Sequence, residues 1–209
     1  MGLASEWGDR LHHTNPYGRR RSSRYATGRK APRHRAGFRS LIFVLLALCS
    51  LGRSALAEPT TRDLQILARA LGFLEVAPRG IVEVGIVYPQ QSIAGRAEAD
   101  RIAEAFGDGL RAGNLTLRPK LVALESVGQA GTVALLLTES ATPYAAAVAR
   151  MIAGRSILTL TMDRALIEAG SAVMAVRSEP RVEILVSRPA AQAAGITFAA
   201  AFRMMIQER

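Results

Sequence analysis

The chain has one cysteine, one tryptophan and three histidines among its 209 residues, and all five stand near the front: Trp7, His12, His13, His34 and Cys49. A single cysteine cannot close an intramolecular disulfide. Beyond Cys49 there is no side chain for a Cys/His metal site, a Ser-His-Asp triad or a Cys-His dyad. Carboxylates and hydroxyls remain, and no closely spaced acidic pair stands out from the background. The phosphate-cradling glycine pattern is missing too, because Gly107, Gly109 and Gly113 lie at the end of a helical segment rather than between a strand and a helix start. These absences lead to the expectation of a non-catalytic protein with no metal and no cofactor.

Long hydrophobic runs are also lacking. The longest, LIFVLLALCSL at residues 41–51, is too short to cross a hydrocarbon core of about 30 Å as a helix. It follows a basic segment and precedes Ala55-Leu56-Ala57, the A-x-A pattern of a signal-peptidase site. Residues 1–57 therefore read as a leader with a long basic region, cleaved after Ala57, and residues 58–209 as one exported domain. Leu48 before Cys49 stands where a lipid-anchor signal carries a small residue, and the general secretion route fits better than the twin-arginine route. The leader also explains the formal charge of +10. Eleven basic and two acidic residues precede Glu58, whereas the remainder holds sixteen basic and fifteen acidic residues. A domain so nearly neutral has no electrostatic footprint for nucleic acid.

After Glu58, periodicity predicts a helix over 60–77, capped by Thr60 or Thr61, with Leu64, Leu67, Leu71 and Leu74 on its inner face. Ile81–Tyr88 is β-branched and nearly all apolar, which suits a central strand covered on both faces. Residues 95–110 read as an amphipathic helix, with Ala99, Ile102, Ala103, Phe106 and Leu110 inward and Arg96, Glu98, Asp100 and Glu104 outward. Strands are expected at 115–124, at or near an edge because of Pro119, at 133–137 and at 156–160. Between the last two lies an alanine-rich helix over 142–153, and Asp163 caps a short helix ending at Gly170. Residues 172–177 and 181–187 form a hairpin across Ser178-Glu179-Pro180, and a last helix follows Gly195. The expected fold is α/β: a single three-layer domain with a mostly parallel sheet flanked by helices, ending in a β-hairpin and a helix.

In such a sheet, ligands collect at the carboxyl ends of strands beside helix N-termini. Three ends are polar here: Gln90, Gln91 and Ser92; Thr138, Glu139 and Ser140; Thr161 and Asp163. Ser92, Thr138, Ser140, Thr161 and Asp163 are thus the candidate ligand residues, and the alternative is that Ser140 or Thr142, and Thr161 or Asp163, simply cap helices. Phe198, Phe202, Met204 and Met205 form either a partner-binding face or ordinary core. The charges on the hairpin, among them Arg181 and Glu183, mark a solvated face or an exposed edge available for dimerisation.

From Gly154 onward the order GRSILTLTMD, EAGSAVMAV and RVEILVSRPAAQAAGITFAAAF resembles the YfiR-like family of periplasmic regulators, and LQILARALGFLEVAPRGIVEVGIVYP resembles a looser version of that family's opening helix and first strand. The resemblance implies a periplasmic α/β domain, often dimeric, that controls an inner-membrane signalling protein such as a diguanylate cyclase, and so cyclic-di-GMP, by binding its periplasmic part. Three departures limit what carries over. The cysteine pairs of that family are missing after residue 57, which removes redox sensing. Thr161-Met162-Asp163 stands in place of a serine-aspartate strand end, and an aromatic stretch is reduced to Phe73, Leu74, Glu75 and Val76. The alternative expectation is a periplasmic small-molecule (solute) binding protein that uses the polar strand ends.

Overall fold

The structure, a computed structural model, describes residues 58–209. The leader, its apolar run and the cleavage position after Ala57 lie outside the described residues. The first helix, α1 (Thr61–Leu71), begins at a reciprocal cap: the Thr60 hydroxyl accepts from the Asp63 amide at 3.2 Å while the Asp63 carboxylate accepts from the Thr60 amide at 2.8 Å. Leu64, Leu67, Ala68 and Leu71 face inward, as their spacing predicts. The helix stops six residues earlier than expected. Phe73 and Leu74 leave it to pair with the far end of the chain, through a Leu74–Phe198 bridge, Glu75 N–H to the Thr197 carbonyl and Ala199 N–H to the Phe73 carbonyl. These long-range bonds replace the helical ones.

β1 (Gly80–Tyr88) is central, with β3 (Leu115–Ala123) beside it along its whole length and β4 (Ala134–Leu137) against its second half. Its first residues are exposed and the last five are buried, so it is covered on both faces only where β4 accompanies it. Between β1 and β3 come α2 (Ile93–Ala105) and the short β2 (Leu110–Ala112), which pairs antiparallel with β3. Leu110 was expected on the helix. Gly107 and Gly109, both with positive φ, end α2 and return the chain along β3 instead. Pro119 costs the ladder no bond. The amide of Gly80 donates to the Asn114 carbonyl, so even-numbered residues of β3 face β1 and Pro119 faces outward, two residues past the end of β2.

A 3-10 segment (Leu124–Gln129) carries the chain to β4, and a second (Glu139–Tyr144) leads into α3 (Ala145–Met151). β5 (Leu158–Thr161), α4 (Arg164–Glu168) and β6 (Met174–Arg177) follow, and β7 (Glu183–Val186) runs antiparallel to β6, forming the expected hairpin. The end differs from expectation. Residues 188–194 form a helix, α5 (Arg188–Ala194), with Ser187 as its cap and Pro189 in its first turn. Gly195, at φ 73°, terminates this helix rather than opening the next. One turn, α6 (Ala200–Arg203), and a two-residue β8 (Gln207–Glu208) parallel to β7 complete the chain.

Among the described residues the sheet has eight strands in the order β2-β3-β1-β4-β5-β6-β7-β8. One face carries α1, α2, α5 and α6, packed through Leu64, Leu71, Ile102, Phe106, Ala191 and Phe202. The other carries α3, α4 and the first 3-10 segment, packed through Val127, Val148, Ile152 and Ile167. The chain is therefore an α/β three-layer domain with a mostly parallel sheet. None of the described helices is long and apolar enough to cross a membrane.

Burial works against the ionised form of Asp63, but the hydrogen bonds that its Oδ2 accepts from the Thr60 amide and hydroxyl help to hold the carboxyl below its usual range. A carboxylate with a depressed folded-state pKa stabilises the fold above its unfolded value of about 4, and that contribution is lost as pH falls through the folded value. Asp63→Asn is therefore expected to lower stability at pH 7 by about 1 kcal/mol and to flatten the loss below about pH 4, read by urea unfolding at several pH values. An unchanged acid slope in the variant contradicts this role.

Candidate functional site

Helices leave the sheet in opposite directions on the two sides of one strand boundary. β1 is followed by α2 on one face, while β4 is followed by the second 3-10 segment and α3 on the other. The carboxyl ends of β1 and β4 therefore form the topological switch point, where an open α/β sheet has its natural crevice. Ser92 stands at one lip, and Thr138, Glu139 and Ser140 stand at the other.

That crevice is filled from within the chain. Glu98, in the second turn of α2 and only 9% exposed, turns its carboxylate onto the end of β4. One oxygen accepts from the Glu139 amide, and the other accepts from the Ser140 amide at 3.2 Å and the Ser140 hydroxyl at 3.0 Å. These are the free amides at a helix start that would otherwise attract an anion. Gly95, one turn before Glu98, makes the approach possible: a Cβ there would lie 2.6 Å from the Ser140 hydroxyl and 3.0 Å from that of Ser92. A side chain here would either turn the Ser140 hydroxyl away from Glu98 or move the helix away from β4.

The hydroxyls around Glu98 are equally occupied. Ser92 caps α2, accepting from the Gly95 amide at 2.9 Å. Thr138 donates to the Val87 carbonyl at 2.8 Å, accepts from the Ala141 amide at 3.2 Å and lies 3.0 Å from the Ser140 hydroxyl. Thr161 accepts from the Asp163 amide at 3.0 Å, and Asp163 caps α4 by accepting from the Ala165 amide at 2.8 Å. The five candidate ligand residues thus divide into two groups. Ser92, Thr138 and Ser140 gather around Gly95 and Glu98, while Thr161 and Asp163 line the neighbouring cavity with Glu98.

That cavity holds about 20 Å³, room for one water molecule. Its walls include Glu58, Glu98, Glu139 and Asp163 and no basic side chain. Glu58 is drawn to Arg101 on α2, whose guanidinium donates to it and keeps its carboxyl below the ordinary range. Among the described residues no group of three or more His, Cys, Asp or Glu is placed to hold a metal ion.

Sequence patterning placed Glu98 on the outer face of its helix, and this is a correction. Its spacing of four to Ile102 and three from Gly95 puts it on the same side as the buried stripe. A lone carboxylate on an apolar stripe, above a glycine, was the available signal.

The residues considered for a partner face also separate. Phe198 and Phe202 face inward, which corrects their reading as a surface: Phe202 is 1% exposed and stacks on Phe73 at 5.0 Å between ring centroids. They are held there by the pairing of segment 73–75 with segment 197–199. Met204 and Met205 remain exposed. On the hairpin, Arg181 and Val182 are exposed, whereas Glu183 is half-buried and lies 3.7 Å from Arg164.

No protein-family model matches the chain, and no curated protein matches it. Among solved structures, the ABC domain in complex with L-Trp from Streptococcus pneumonia is similar at a TM-score of 0.47 and 10% identity, over 72% of this chain and 60% of that one. The chain thus spans less than two thirds of that structure's length.

Replacing Glu98 by Gln keeps the side-chain shape but removes the charge received by two amides and a hydroxyl. The expected loss is about 1–3 kcal/mol in urea unfolding, with Ser140→Ala losing less. A Glu98→Gln variant as stable as the parent contradicts the assignment of these bonds.

Proposed function

We propose that this chain is a non-catalytic regulatory module that acts in the periplasm by binding the periplasmic part of an inner-membrane signalling protein such as a diguanylate cyclase. The observation that carries this reading is the filled switch point: the amides and hydroxyls suited to a small ligand are saturated by Glu98 and by caps, and the remaining cavity has room for one water. Recognition through the outer surface is the reading this arrangement favours. The resemblance of residues 64–89 and 154–208 to the YfiR-like regulators supports the class of partner. β8 covers Leu185 and Val186 of β7, so a homodimer through the hairpin, which belongs to the same reading, would use only the stretch at Arg181 and Glu183 that β8 leaves uncovered.

A second reading, a periplasmic solute-binding protein, draws on the same topology. The switch point lies where ligands of such sheets sit, and a solute would have to displace the Glu98 carboxylate from Glu139 and Ser140.

Photo-crosslinking of the full chain in its own cells, with the probe at Arg181, separates the two when combined with cyclic-di-GMP measurement after deletion of the gene. The first reading expects an adduct with one integral membrane signalling protein and a changed cyclic-di-GMP level that the intact gene restores. No membrane adduct and an unchanged level overturn it. A solute whose thermal stabilisation of the chain disappears in Ser140→Ala favours the second reading instead.

A further inference from the structure

At the opposite end of the sheet from Glu98, the amino ends of β1 and β3 border an open groove of about 360 Å³. This is within the size range of small-ligand sites, roughly 300–1,000 Å³. The tail of α1 and segment 73–79 form one wall, and the turn between β2 and β3 forms the other. Its apolar lining comes from Phe73, Pro78 and Leu115, with Asn114 at the rim. Phe73 is fixed by its stacking on Phe202, and Leu115 is buried, so this lining is part of the core packing.

Two guanidiniums, Arg69 and Arg79, line the same groove, and no acidic side chain does. Among the described residues neither arginine has a carboxylate within ion-pair distance, whereas Arg96, Arg101, Arg164 and Arg188 are each paired with one. The groove therefore combines uncompensated positive charge with an apolar base. A neutral apolar solute would leave both guanidiniums unused, and a compact polyanion would leave the exposed apolar surface of Phe73, Ala77 and Pro78 uncovered. The complement to both features is a single negative charge on a short hydrocarbon. Bound there, the carboxylate accepts charge-assisted hydrogen bonds from a guanidinium while the tail covers the apolar base.

We propose that this groove binds amphipathic carboxylates, free acids with a short hydrocarbon tail, with Arg69 and Arg79 receiving the carboxylate and Phe73, Ala77 and Pro78 receiving the tail. The site shares no residue with the switch point and is independent of the membrane-partner reading.

Isothermal titration of the full chain with octanoate tests it, with octanamide as the uncharged counterpart. Saturable binding of octanoate is expected, weakened about tenfold or more when the amide replaces the acid or when Arg79 becomes Gln. Arg69→Gln should act in the same direction; because Arg69 lies in the last turn of α1, where its charge also favours the helix, Arg79→Gln outside the helices is the decisive variant. No saturable binding of octanoate up to about 5 mM overturns the proposal. So does equal binding of octanamide, or unchanged binding in a folded Arg79→Gln protein.

Discussion

The two oxygens of Glu98 join pieces of chain that the topology sends apart. α2 crosses one face of the sheet, and the segment after β4 departs over the other, so the gap between them opens wherever a doubly wound sheet changes direction. Glu98 closes this gap by supplying an anion to the Glu139 and Ser140 amides, while Thr138 binds the end of β4 to Val87 of β1. A buried carboxylate is costly without hydrogen bonds, and here three donors meet it. The glycine at position 95 favours that contact, since a side chain there would crowd the Ser140 and Ser92 hydroxyls.

This closure shapes the functional reading. Polar residues gathered at strand ends suggest a ligand crevice when their partners are unknown. Once the partners are visible, the same residues serve to seal the crevice, and the cavity beside them has room for one water. Charge points the same way: four carboxylates border that cavity, whereas Arg69 and Arg79 border the groove at the other end of β1 with no acidic side chain in its lining. An anion entering at the switch point would meet negative charge and an occupied binding position. The two ends of the sheet have opposite characters, and recognition of anions belongs to the amino end.

Local chemistry made much of the fold legible from sequence. Thr60 and Asp163 cap the helices they precede, the β-branched run after Gly80 is the central strand, and the segments flanking Ser178–Pro180 form a hairpin. The misreadings share a cause, which is that long-range contacts decided the outcome. Leu74 fits the helical stripe of α1 but, with Phe73, pairs with residues 197–199. Leu110 fits the stripe of α2 but pairs with Leu117. The alanine-rich stretch 188–194 has little amphipathic signal, so its helix was visible only through Ser187, Pro189 and the left-handed Gly195 that ends it. Glu98 could be read as a surface charge because its partners lie some forty residues away in sequence. Composition excluded histidine and cysteine chemistry after residue 57, but it carried no information on how the remaining polar groups would be used.

The central claim is that the switch point is closed by the chain's own carboxylate. Amide hydrogen exchange at Glu139 and Ser140, in the full chain without added solute, tests it most directly. These two amides begin a helical segment and have no intrahelical acceptor, so their protection depends on Glu98. Slow exchange in the parent chain that becomes fast in Glu98→Ala, with the β4 amides still protected, is the predicted result. Fast exchange of both amides in the parent chain would contradict it and describe an open crevice.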